Sequence, residues 1–220
     1  QNDDLVPYTL NSAIRGIDFD HSTFAATDPA QLPTGQADTQ VDVLSFYGSA
    51  NGKLGDAFTL GFKVRYYDYD NGSSRIEFPG YVRYHGVWEE IGRVTVPHSY
   101  TVEDIGADLG WNIGEASRLG LAYNRQSWDR DYREIEESDE DILKFTYDTR
   151  LGAFQIRAFY EMGDRSIGEY STEAQEWSFI HPEGINNLPA LRKYDEAARE
   201  YDGYGVQGWW YVTEAMDLSF

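Results

Sequence analysis

Cysteine is absent from the 220 residues. No disulfide, no thiolate metal site and no covalently attached haem can therefore form in this chain, the last because it needs a Cys-x-x-Cys-His run. Methionine occurs twice, and no apolar run approaches the ~20 residues of a membrane-spanning helix. Any membrane crossing must then be made by strands. Positive charge is scarce too: 18 Lys and Arg against 38 Asp and Glu leave a net charge of -20. Phosphate binding needs clustered Lys and Arg, so nucleic acid is excluded as a partner. Such acidity either keeps a soluble protein in solution, or places carboxylates in long loops or a water-filled lumen that attracts cations. The chain opens at Gln1 without a basic n-region or an apolar h-region, as expected of a mature or truncated chain.

What is present is aromatic and glycine-rich. There are 17 Tyr and 21 Gly, 15% of residues are aromatic, and 41% are hydrophobic. The mean hydropathy is -0.58. Helical spacing holds nowhere for three turns, although Leu188 to Ala198 suggests a short loop helix. Period two recurs instead. Phe58, Leu60, Phe62 and Val64 alternate with Thr59, Gly61, Lys63 and Arg65. Ile105, Ala107, Leu109 and Trp111 alternate with Gly106, Asp108, Gly110 and Asn112. Leu119 and Leu121 are followed by Asn124, Leu143 and Phe145 flank Lys144, Phe154 and Ile156 flank Gln155 and precede Arg157, and Gln207 lies between Val206 and Gly208. Alternate residues of a strand point to opposite faces, so each segment has an oily side and a polar side.

Alternation alone also describes a soluble sandwich with one wet face. The connections separate the two. Short links at Asn51 to Asp56, Ile113 to Ser117, Thr149 to Gly152 and Thr213 to Asp217 alternate with long polar ones near 20–38, 68–94, 129–141 and 166–200. Transmembrane barrels have tight turns at one end and long loops at the other. The expected fold is thus an all-β antiparallel up-and-down transmembrane β-barrel, with 1–220 one barrel segment. A further strand through Val82, Tyr84 and Gly86 would project beyond the membrane. By parity, Phe58, Leu60, Phe62, Val64, Leu109, Trp111, Leu119, Leu121, Leu143, Phe145, Phe154 and Ile156 are expected to face lipid. Thr59, Lys63, Arg65, Asp108, Asn112, Asn124, Lys144, Gln155, Arg157 and Gln207 are expected to face a lumen and whatever it holds. Tyr66, Tyr67, Tyr69, Tyr123, Trp111, Trp128 and Trp210, near strand ends, would form interfacial girdles.

Chemistry of its own is hard to find. His21, His85, His98 and His181 show no metal-ligand spacing. Asp68-Tyr-Asp-Asn-Gly72 has the opening of a calcium loop but Pro79 at the twelfth position, where a Glu belongs. Calcium there, or at Glu136-Glu-Ser-Asp-Glu-Asp141, stays an open reading. Glu89 and Glu90 are strand neighbours on opposite faces and cannot share a glycoside. Neither a Gly-x-Ser-x-Gly nucleophile motif nor a phosphate-cradling Gly loop occurs. No enzyme is read from these residues.

Three segments are familiar. Lys63-Val-Arg-Tyr-Tyr-Asp-Tyr-Asp-Asn71, then Phe78-Pro-Gly-Tyr-Val-Arg-Tyr84 followed by Trp88, and finally Leu191-Arg-Lys-Tyr-Asp-Glu-Ala197 before the strand at Tyr204 resemble the MtrB/PioB family. The hairpin order between them matches as well. The resemblance implies an outer-membrane barrel that insulates a periplasmic multihaem c-type cytochrome and holds it for electron transfer across the outer membrane. It implies membrane lipid and that cytochrome as partners, no cofactor in this chain, and haem on the partner only. Family members are longer. About ten strands are visible here, and such a barrel would be too narrow for a cytochrome, so the chain is either a part of a larger barrel, which is the expectation, or a shortened relative with a different job. Two other readings remain: a plain porin-like channel for solutes, and a secreted soluble β protein that binds carbohydrate through Trp177, Trp209 and Trp210.

Overall fold

A strand with one oily side needs neighbours of matching parity, because a slip of one residue would turn every side chain over. The computed structural model describes residues 4–7, 9–13, 16–17, 23–78, 81–82, 93–171, 197–213 and 216–219. Eight of its strands form the main sheet: β1 Val41–Leu54, β2 Phe58–Asn71, β3 Tyr100–Ile113, β4 Ser117–Arg130, β5 Glu137–Leu151, β6 Phe154–Ile167, β7 Arg199–Thr213 and β8 Met216–Ser219. They stand in chain order, each antiparallel to the one before. This is the up-and-down meander that alternation and link lengths predicted, without the crossovers of a Greek key. The register runs unbroken until a shift between Tyr211 and Thr213. Among the described residues no α-helix occurs, and β1 and β8 each have a single neighbour in the sheet.

The short links repeat one device. Leu54-Gly55-Asp56-Ala57, Ile113-Gly114-Glu115-Ala116 and Leu151-Gly152-Ala153 each begin the turn with a glycine at φ 64°, 65° and 64°. That left-handed conformation is open to Gly without steric cost.

The long links differ from expectation in one place. The link expected over 129–141 is confined to 131–136, because β4 continues to Arg130 and β5 starts at Glu137. It is fastened by Arg130 N–H to the Glu136 carbonyl and Asp131 N–H to the Ser99 carbonyl, while buried Ile135 bridges to Tyr170. Backbone pairing beyond the apolar band needs no hydrophobic side, so hydropathy stops alternating while the strand goes on. β2 likewise extends to Asn71. Against about ten strands expected, the main sheet has eight. Among the described residues the segments around it add only two-residue strands, with Gly16–Ile17, Thr23–Phe24 and Tyr81–Val82 in one small sheet and Glu77–Phe78 with Arg93–Val94 in another. The strand expected through Tyr84 and Gly86 lies outside the described residues, as does the loop helix of 188–198 up to position 196.

Almost nothing here is a core. Among the described residues the buried apolar side chains are Ala26, Val102 and Ile135. The accessible surface is 14808 Å². A compact monomer of this mass exposes roughly 10,000 Å². The sheet is a single layer with both faces bare.

Candidate functional site: the two faces of the wall

In an antiparallel pair, residues directly opposite share a face, so the register sorts every side chain. Leu60 faces Leu109, which faces Leu121, which faces Phe145, then Tyr160 and Tyr204. Phe58, Trp111, Leu119 and Tyr147 form a parallel row. All twelve residues expected toward lipid fall on this one face. Phe58, Leu60, Phe62, Leu109, Trp111, Leu119, Leu121, Phe145 and Phe154 are exposed on it, Leu60 at 42% and Phe62 at 49%, while Val64, Leu143 and Ile156 are half-buried. No second layer covers them among the described residues.

The band has two aromatic margins. At the turn end Phe58 stacks on Trp111 at 6.1 Å and Phe154 on Trp210 at 5.3 Å. At the loop end stand Tyr66, Tyr123, Tyr160 and Tyr204. Tyr123 donates a hydrogen bond to Asp141, and Tyr160 donates one to Asp202 at 2.6 Å. Phe58 to Tyr66 is the length of chain, about nine to eleven residues, with which a tilted strand crosses a bilayer. Beyond the tyrosines the same face turns acidic, through Asp68, Asp70, Glu103, Asp139, Asp141, Asp164, Glu200 and Asp202. Arg125, paired with Asp139 at 3.0 Å and Asp141 at 3.6 Å, is its one cation among the described strand residues. Three residues expected in the girdles are elsewhere. Tyr67, Tyr69 and Trp128 have the opposite parity, and on the other face they cluster around Tyr100 at 5.8, 5.3 and 5.7 Å, with Arg130 4.6 Å over the Trp128 ring.

The ten residues expected toward a lumen also share one face, the polar one. There long side chains lie along the sheet over glycines. Arg118 of β4 reaches across β3 above Gly110 and donates to Thr59 of β2 at 2.7 Å. Lys63 lies over Gly106, where a Cβ would collide with it and with Asn124. Lys144 meets Glu161 at 2.9 Å, and Tyr201, lying over Gly163, donates to the same carboxylate at 3.2 Å. Arg157 holds Asp148 at 2.6 Å, and Arg65 approaches Asp104 at 3.6 Å, which also accepts from Gln126 at 2.7 Å. Gln155 accepts from Tyr211. Arg165 and Arg199 both grip Glu140, at 2.9 and 2.6 Å.

The acidic run Glu136 to Asp141 is therefore divided by its own strand. Glu137, Asp139 and Asp141 stand on one face, while Glu140 on the other is taken by two arginines. Among the described residues no three His or carboxylate groups gather as a metal site. Trp209 and Trp210 point to opposite faces and form no common sugar platform, and Trp177 lies outside the described residues. Sequence reasoning passed over the cations Lys53, Arg118, Arg150, Arg165 and Arg199 of the polar face. Their shared parity with Lys63 and Arg65 was the available signal.

A one-layer meander with a bilayer-length apolar band, aromatic margins, tight turns at one end and long links at the other is the wall of an outer-membrane β-barrel. The model of the MtrB/PioB family, described as an outer membrane beta-barrel porin, matches residues 1–220. The chain belongs to that family, whose members are porin-type barrels rather than catalysts. No curated protein matches it.

Proposed function

We propose that this chain forms wall of an outer-membrane barrel that encloses a multihaem c-type cytochrome and insulates it, so that electrons cross between periplasm and exterior. The apolar band faces lipid and the stitched polar face lines the lumen. The observation that carries this reading is the clean separation of the two faces, with Phe58 to Tyr66 greasy on one side while Thr59 to Arg65 is polar on the other. Haem-bearing protein cannot cross hydrocarbon bare, because its polar groups would be desolvated. A barrel satisfies its own backbone and offers a polar interior. With zero Cys, this chain can attach no haem covalently and leaves that to its partner.

Extraction from membranes in detergent, with an affinity tag on the barrel, tests it. A red protein with haem absorbance is expected to elute with the barrel. Colourless barrel that conducts ions steadily in planar bilayers would instead favour the second reading, a solute porin, which the family description supports.

A further inference from the structure

The chain as a whole is strongly acidic, yet its charges are not shared evenly between the two faces. The carboxylates of the apolar face gather beyond the tyrosine margin. On the polar face cations prevail. Arg65, Lys144, Arg157, Arg165 and Arg199 are matched by Asp104, Glu161, Asp148 and Glu140. Lys53, Lys63, Arg118 and Arg150 come in addition, with Asp108 alone to set against them among the described residues of β1 to β7. Lys53 and Lys63 have no carboxylate within ion-pair distance among the described residues, and Arg118 and Arg150 donate to the uncharged oxygens of Thr59 and Gly152. Three cations, Arg118, Lys144 and Arg157, line one shallow depression with Asp108, Thr146 and Asp148.

We infer that the polar face is an electropositive wall, and that the protein surface it receives is acidic. This rests on the proposed reading that the face encloses a partner protein. Low-dielectric walls focus such a field, so an excess of fixed positive charge inside an acidic protein attracts anionic groups inward. The acidic groups on the opposite face lie outside that space and are screened from it by water and salt. The glycine beds matter here, since side chains laid flat leave their charged ends spread along the wall rather than crossing the bore.

The test uses the full barrel with its native haem partner in detergent, measuring haem retained on the tagged barrel as salt rises to roughly 0.5 M. Retention is expected to fall with salt. The double variant Lys53→Glu, Lys63→Glu is expected to weaken retention about tenfold at low salt, whereas Ser166→Glu on the opposite face leaves it unchanged. Retention indifferent to salt and to the double variant overturns the inference while the enclosing role stands. If no haem protein is retained at all, the enclosing role fails, and the reversal potential of the bare barrel under a KCl gradient decides the charge of the wall. Anion preference supports an electropositive lumen, and cation preference overturns it.

Discussion

Leu109 and Asp108 are neighbours in sequence and stand back to back in the wall. Leu109 is packed between Leu60 and Leu121 in mid-band, so in the proposed orientation a charge placed there has lipid around it and no partner. Leu109→Arg is expected to destabilise the barrel by about 2–4 kcal/mol, read as a lower urea midpoint in lipid vesicles. Gln155→Lys on the polar face should shift it by under about 0.5 kcal/mol. Glu140 presents a second residue-scale case. It is 8% exposed, and its two carboxylate oxygens bind Arg165 and Arg199, which are directly opposed in register. Glu140→Gln leaves two facing guanidinium groups without their shared anion, at a cost of about 2–3 kcal/mol. Faster amide exchange at the loop ends of β6 and β7 would report it, and adding Arg165→Met with Arg199→Met should recover part of the loss.

At the scale of the element, each turn depends on a backbone angle and each strand on parity. Gly114→Ala places a Cβ at φ 65° and should cost about 1 kcal/mol, measured as a shift of the unfolding midpoint. In single-tryptophan variants in vesicles, Trp111 and Trp210 should be quenched by brominated acyl chains and Trp128 by aqueous iodide. The reverse pattern would turn the wall inside out. The faces of β2 to β7 were legible residue by residue, because within the band one side must be apolar. The strand ends were not. At Asp129 and Arg130 and again from Glu137 to Asp141 both sides are polar, hydropathy loses its period, and a paired strand reads as a loop. The girdle assignment failed for Tyr67, Tyr69 and Trp128 because nearness to a strand end was weighed without parity; Tyr66 and Tyr67, being adjacent, could never share a face. Acidity of the whole chain left solubility and acidic loops or lumen both open, because a total says nothing of how charge divides between two sides.

For the whole molecule, the scarcity of buried apolar side chains among the described residues is the governing fact. A one-layer wall this greasy has no water-soluble state to fall back on. Dilution below the critical micelle concentration is expected to precipitate the protein, followed by light scattering, and a monodisperse detergent-free species would contradict the membrane assignment. Strand length adds a last consequence. Strands of 14 or 15 residues extend about 46–50 Å, and tilted by about 40° they rise past a 25 Å hydrocarbon band by roughly 10 Å. The barrel thus carries a stiff parapet above the headgroups. A body too wide to enter it would come to rest on that rim, held clear of the bilayer, so its contact with this protein would lie some distance above the membrane surface.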